Sequence, residues 1–257
     1  MKNQRQEEIL KLLLEQQTLK TEYLVAHFGV SIETIRRDQH ALEQAGLAKK
    51  IYGGICLASN PMRMTALENW NVRQSQNHAI KAKLAAQALE LIQDGMVIAL
   101  DNGTTIYELA CLLSARKNLT ILTASLLIAS ELSQNTKHKV YCIGGLVLPN
   151  EAVCSGAFTQ LFLEQFSSVD LFLCSADSLS PAHGIMEVTE AAADVKRQLI
   201  RRSKHTAALI DHSKFGKESL FISCKLQDLD TLITDAHAPQ QDLAQLKDMG
   251  IAVQVVS

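Results

Sequence analysis

No two cysteines stand at C-x-x-C spacing, although the chain has six of them: Cys56, Cys111, Cys142, Cys154, Cys174 and Cys224. A metal site or a disulfide framework needs clustered thiols, and these are scattered over apolar segments. They read as small buried hydrophobes of a reducing compartment. No apolar run reaches about 18 residues and no charged-then-apolar leader opens the sequence, which argues against a membrane span or an export signal. A cytoplasmic protein is expected, with no metal and no cofactor. No internal repeat is evident. Nor does one sign of charge prevail: the net charge is −2 in 257 residues, and the first 57 carry eight Lys and Arg against seven Asp and Glu. Any affinity for nucleic acid must therefore come from a local, salt-sensitive patch. A dimer presenting two such patches is the natural complement.

What is present is an ordinary globular composition, 47% apolar and 20% charged, long enough for one or two domains. Near the amino end, Ile9, Leu10, Leu13 and Leu14 recur at helical spacing over residues 4–16. Thr18-Leu19-Lys20 is short and extended, and Thr21 is placed to cap a second helix over 22–28. After a turn at Gly29, Ser31 stands where an N-cap belongs, its hydroxyl able to accept the Thr34 N–H. Ile32, Ile35 and Leu42 share one face of the next helix. Glu33, Thr34, Arg36, Arg37 and His40 are left outward, and Gly46 is a C′ stop. The run beyond it alternates apolar and polar residues and turns at Gly53-Gly54, so it reads as a β-hairpin carrying Lys49, Lys50 and Tyr52. Helix, turn, helix and a basic hairpin make a winged helix-turn-helix. Its second helix suits the major groove of double-stranded DNA, where adjacent arginines can serve base edges and phosphates.

Residues 58–78 change character: Ser59-Asn60-Pro61 is a breaker, and Asn and Gln dominate residues 69–77, so a linker is expected there. Trp70 reads as an anchor packing this linker onto a domain. From residue 79 near-continuous apolar strands alternate with helices. Strands are expected at 96–100, 119–123, 139–143, 169–175, 206–211, 230–233 and 251–256. Helices are expected at 79–93, 105–114, 125–134, 158–165, 190–202 and 239–248. The pattern predicts a mostly parallel αβα sandwich, giving an α/β protein with domains at 1–57 and 79–257. Such sheets bind ligands at the carboxyl ends of their strands. There the sequence offers Asp101-Asn102-Gly103-Thr104-Thr105, a helix start suited to a phosphate. It also offers Ser125, Gly144-Gly145, Asp177, Glu190, Lys196 and Lys214. Groups of both signs on one sheet edge fit a polyhydroxy, phosphorylated ligand.

These stretches resemble the DeoR family of bacterial transcriptional regulators. In the amino-terminal domain the resemblance rests on Val30-Ser31-Ile32-Glu33-Thr34-Ile35-Arg36-Arg37-Asp38, Leu42-Glu43, Gly46 and Tyr52-Gly53-Gly54. Further along it rests on Arg73, Asn77, Lys81, Leu100 to Thr105, Gly144-Gly145, Glu190 with Lys196, and Asp211-His212-Ser213-Lys214-Phe215-Gly216. It covers about residues 3–236. It implies a sensor domain related in fold to ribose-5-phosphate isomerase, with Gly103, Thr104 and Thr105 holding a phosphate. Asp101, Asp177, Glu190, Lys196 and Lys214 would line the sugar site. It further implies a repressor, a homodimer or homotetramer, released from its operator by a phosphorylated sugar or sugar alcohol. Three positions depart from the family pattern: Gln39 for Leu, Ala124 for Asn, and Leu148 for Arg. The competing reading is a sugar-phosphate isomerase with an appended module, in which an Asp, a Glu and a Lys move protons next to a carbonyl. An isomerase has no need of the DNA-reading module.

Overall fold

A computed structural model of the chain describes residues 4–16, 18–44, 47–51, 53–57, 70, 73–148 and 151–257. The Gly46 helix stop, Tyr52 and most of the expected linker lie outside these residues. The chain divides into two compact units, residues 1–76 with 149–151, and residues 77–148 with 152–257.

In the first unit, helix α1 (Gln4–Gln16) leads through strand β1 (Thr18–Lys20) into helices α2 (Thr21–Phe28) and α3 (Ile32–Gln44). Strands β2 (Ala48–Ile51) and β3 (Gly54–Leu57) come next as the hairpin, and β1 adds to it in the order β1-β3-β2. The core is small: Ile9, Leu13, Leu19, Leu24, Ile35, Leu42, Ala48 and Ile55. Ile9 and Leu13 stand one helical turn apart, as do Ile35 and the buried Asp38 and Gln39 that extend its face. Ile32, expected inward, is only half-buried.

Two polar ties complete this unit. Asp38 accepts Arg5 Nε at 2.5 Å and Gln6 Nε2 at 2.9 Å, joining α3 to α1. Gln39, at the position where the family pattern has Leu, donates from Nε2 to Thr21 Oγ1 at 3.1 Å. The Thr21 hydroxyl thus accepts a bond from α3. It is the first residue of α2 and not its cap; that position falls to Lys20, which makes no side-chain capping bond.

The second unit is built on a seven-stranded parallel sheet. Its strands are β4 (Val97–Leu100), β5 (Thr120–Thr123), β6 (Lys139–Cys142), β9 (Leu171–Cys174), β12 (Thr206–Leu209), β14 (Thr231–Asp235) and β15 (Ala252–Val256). Their order is β15-β14-β12-β9-β4-β5-β6. Helices α4 (His78–Leu89), α5 (Thr104–Leu112), α6 (Leu126–Asn135), α7 (Ala157–Leu163), α8 (Glu190–Ile200) and α9 (Gln240–Asp248) complete the layers. Strands with both faces covered need apolar side chains on both, which is why β9 reads Leu171-Phe172-Leu173-Cys174, all buried. Two separate apolar clusters line the two faces of the sheet.

Two features escape the strand pattern. A hairpin joins β7 (Leu146–Val147) to β8 (Cys154–Ser155). A three-stranded antiparallel sheet unites β10 (Ser178–Ser180), β11 (Gly184–Glu187) and β13 (Phe221–Cys224). Among the described residues no helix is long and apolar enough to cross a membrane.

Gly54 is the most constrained turn position of the first unit. A Cβ there would lie 2.3 Å from the Leu19 carbonyl oxygen. Gly54→Ala must push β1 off β3, and we expect it to lower the unfolding free energy of this unit by about 1–3 kcal/mol, as overpacking does. Denaturant titration followed by far-UV circular dichroism measures it.

Candidate nucleic-acid interface and effector site

The helix α3 begins as its sequence dictates: Ser31 Oγ accepts the Thr34 N–H at 3.3 Å and lies 3.0 Å from the Thr34 hydroxyl. That cap fixes which side chains leave the domain. Glu33, Arg36, Arg37 and His40 are exposed, and Thr34 is half-buried. Among the described residues neither Arg36 nor Arg37 is held in an ion pair, whereas Asp38, the next residue, is turned inward to Arg5. Lys49 and Lys50 are exposed on β2. The hairpin is locked to the helix by Glu43, whose Oε1 accepts the Lys50 N–H at 3.0 Å. His40 lies 3.4 Å from Lys50 Nζ and 3.2 Å from Gln44 Nε2, so it is tied to its neighbours while the two arginines are not.

In the second unit the chain leaves β4 in one direction for β5 and β6, then returns to place β9 on the other side of β4. The carboxyl ends of β4 and β9 therefore part at a switch point, where open α/β sheets take their ligands. Lys196 closes this point from below. Its side chain is 1% exposed, and Nζ reaches Asp101 Oδ2 at 3.0 Å, the Ser175 carbonyl at 2.5 Å, and Glu187 Oε1. Three donors meet three acceptors, so the ammonium is fully satisfied. Asp101 Oδ2 also accepts the Ser175 N–H at 3.1 Å, and Glu187 Oε1 accepts the Ser223 hydroxyl at 3.1 Å. Burial would push Lys196 down, but Asp101 and Glu187 outweigh it and hold the ammonium protonated well above the ordinary lysine range. Burial pushes the Glu187 carboxyl up to about 7, against the pull of Lys196.

The remaining expected residues fall into three kinds of place. Thr104 and Thr105 open α5 and are buried, immediately after Gly103. Gly103 is required by its neighbour: a Cβ would stand 1.8 Å from Ser175 Oγ. Asp177 is half-buried at the head of β10, with Oδ2 accepting the Val188 N–H at 3.0 Å. Ser125 caps α6, accepting the Ile128 N–H at 3.3 Å. Gly144 gives its carbonyl to Thr159 Oγ1 at 2.8 Å, and Gly145, at φ +148°, has Thr159 Oγ1 where a Cβ would be. Glu190 is exposed at the start of α8, so the acid paired with Lys196 is Glu187 and not Glu190. Lys214 is half-buried in the turn after β12, its charge beside Asp211.

Sequence reasoning missed Glu187 and Ser223, which lie on strands it did not foresee, and Ser175, which ends the strand expected at 169–175 and joins the cluster through its backbone. Two open depressions have volumes of about 570 and 600 Å³; neither is lined by Asp101, Glu187 or Lys196, although Ser223 borders the first. Among the described residues no three His, Cys, Asp or Glu side chains group to hold a metal ion.

A winged helix with two exposed arginines, joined to an α/β unit with a polar cluster at its switch point, defines a regulator that reads DNA and carries a ligand-type domain. Comparison with known proteins gives the family. The DeoR-like helix-turn-helix domain matches residues 5–60 and the DeoR C terminal sensor domain matches residues 76–236. The chain is 32% identical to the transcriptional repressor AccR of Agrobacterium fabrum, over 90% of this chain and 89% of that one. It is 29% identical to the glycerol-3-phosphate regulon repressor of Escherichia coli, over 98% of each. Among solved structures it is similar to ribose 5-phosphate isomerase A of Methanocaldococcus jannaschii, with a TM-score of 0.43, 19% identity and 56% of each chain covered. The chain belongs to the DeoR family. It is a DNA-binding transcriptional regulator and not an enzyme.

Lys196→Met leaves two carboxylates buried together without their cation. We expect a loss of about 3–5 kcal/mol of stability, the usual consequence of breaking a buried ion pair. The raised Glu187 pKa gives a pH signature. Folded chain keeps this proton between pH 4.5 and about 7, where unfolded chain has released it. Stability from this group is therefore present below that window and is lost as pH rises through it. Urea midpoints of wild type relative to Glu187→Gln must fall from pH 5 to pH 8; a flat or rising difference contradicts the assignment.

Proposed function

We propose that this regulator represses genes for the use of a sugar or sugar alcohol and leaves its operator when a phosphorylated sugar binds the second unit. The observation that carries the DNA half is the pair Arg36 and Arg37, exposed and without an acid partner among the described residues, on a capped helix backed by the Lys49 and Lys50 hairpin. Ser31, Glu33, Thr34, His40 and Tyr52 complete the set of residues assigned to the duplex. The DNA-reading domain is taken as residues 1–57, the linker as 58–78 and the effector domain as 79–257. Names of relatives support the repressor sense and the substrate class: one represses a glycerol-3-phosphate regulon, another is a putative aga operon repressor. A protein acting on chromosomal DNA belongs in the cytoplasm.

The effector half rests on the switch-point cluster. Asp101, Gly103, Thr104, Thr105, Ser125, Gly144, Gly145, Asp177, Glu190 and Lys214 follow strand ends or open helices, and Lys196 reaches Asp101 from the middle of α8. Thr104 and Thr105 begin α5, and a helix start of this kind favours an anion. Lys196 acts through Asp101 and Glu187, holding the site's walls, because its own donors are already filled.

A homodimer or homotetramer follows from the charge balance of a single reading head. It is supported by apolar side chains left in solvent on the second unit, with Phe158 76% and Leu146 68% exposed. Sedimentation should show an oligomer that Phe158→Asp weakens; a wild-type monomer at all concentrations refutes this part.

Operator duplexes selected from a random pool by the full chain test the whole reading. Arg36→Ala and Arg37→Ala should each weaken specific binding by about 1–3 kcal/mol. Wild-type affinity should fall when ribose 5-phosphate, glycerol 3-phosphate or related sugar phosphates are added. Unchanged binding by both arginine variants would refute the DNA assignment, and indifference to every sugar phosphate would refute the effector assignment.

A further inference from the structure

Release by an effector needs a physical route from the effector domain to the linker, and one hydrogen bond occupies the required place. Asn77 is the first residue of the second unit, at the end of the segment taken as the linker. It stands at φ +54° and ψ +28°, a left-handed conformation that asparagine tolerates and most residues avoid. From there its Nδ2 donates to Asp211 Oδ1 at 3.0 Å. Asp211 is 2% exposed and lies 134 positions further along the chain, just beyond β12.

Asp211 is also the residue that shapes the loop around Lys214. The same Oδ1 accepts the Ser213 N–H at 2.9 Å and caps the turn His212–Lys214. The loop closes at Phe215, which is buried and bridges to Leu179 of β10. A single carboxylate oxygen thus holds the turn that presents Lys214 and the residue where the linker ends. Neither role is a cap for α4: the Asn77 side chain makes no capping bond to that helix, and only its carbonyl enters it, accepting the Lys81 N–H at 3.0 Å. The carboxylate stays ionised in this place. Burial works against it, but the bonds from Ser213, the Lys214 charge and the Asn77 amide together hold its pKa below the ordinary value.

We propose that Asn77 is a positioning residue for DNA binding: its bond to Asp211 couples the conformation of the 211–216 loop to the linker, and so to the reading heads. This rests on the proposed function, and it adds the residue pair through which the two activities are linked. A displacement of the loop that breaks or tightens this bond changes how firmly the end of the linker is fixed. A loosely fixed linker leaves two heads with more freedom to lose on binding two half-sites, which weakens the complex.

The test uses the full chain and the duplex that wild type selects from a random pool, with fluorescence anisotropy as the readout and no added metabolite. Asn77→Gly keeps the left-handed backbone and deletes only the amide. We expect it to bind the operator at least about fivefold more weakly, the lower end of ordinary coupling. Asn77→Asp sets two carboxylates against each other and should weaken binding at least as much. Combined with Asp211→Ala, which already lacks the acceptor, Asn77→Gly should cost little further affinity. Operator binding unchanged in Asn77→Gly overturns the proposal. So does a fully additive loss in the double variant, since a merely structural asparagine would lower the unfolding midpoint without this dependence on Asp211. If wild type selects no duplex at all, the reading of the protein as an operator binder falls first, and this inference falls with it.

Discussion

One ammonium group organises the carboxyl edge of the large sheet. Lys196 rises from α8 and ends among Asp101 after β4, the carbonyl of Ser175 after β9, and Glu187 on β11. Four elements, three of them within residues 171–200 and one ending at residue 100, are thereby fixed to one nitrogen. Burying a charge without partners is prohibitive, and burying it with two acids and a carbonyl is tolerated only when every donor is used. The arrangement is rigid because no smaller set of contacts satisfies it. Its consequence is that Asp101 and the start of α5 are presented at a defined height above the switch point.

The small domain solves a related problem with the sign reversed. Asp38 is the buried charge, and Arg5 and Gln6 are its donors. In the run Arg36-Arg37-Asp38 the acid is therefore not a neutralising neighbour for the arginines. It turns inward to α1 and leaves them facing solvent. Gln39 behaves similarly: where the family pattern has an apolar side chain, its amide finds the Thr21 hydroxyl and ties α3 to α2. Both ties orient α3 without touching its outward face, so the residues that hold the domain together are not the exposed arginines.

The periodic parts of this fold could be read before any coordinates. Helix α1 shows its face through Ile9 and Leu13, and β9 is a run of four apolar residues bounded by polar ones. The wing could be read from Gly53-Gly54. What could not be read is the β10-β11-β13 sheet, because its strands are short and interrupted by Pro181 and Gly184, so no period of two develops. Glu187, the acid beside Lys196, lies on β11, so its place was hidden together with that strand. Gly103 shows a different limit. A glycine beside two threonines reads as a ligand contact, and its missing side chain also makes room for Ser175, which no local pattern reveals.

The same cluster bears on what kind of ligand the edge can take. On the proposed reading, Asp101 and Asp177 supply acceptors suited to hydroxyl groups, while Lys196 has no donor left. The two positions where the family pattern has Asn and Arg are here Ala124 and Leu148, which hydrogen-bond through their backbones alone. The Ala124 carbonyl accepts the Cys154 N–H at 2.9 Å, and the Leu148 N–H donates to Val153 at 2.8 Å. On the proposed reading, an anionic group must then rely on the N–H groups and hydroxyls at the start of α5 together with Lys214, and not on a guanidinium. Backbone donors at a helix start are directional and fixed, so they favour a compact anion at one spot. Recognition of the rest of the ligand would fall to the carboxylates, which favours a polyol chain over a second charged group.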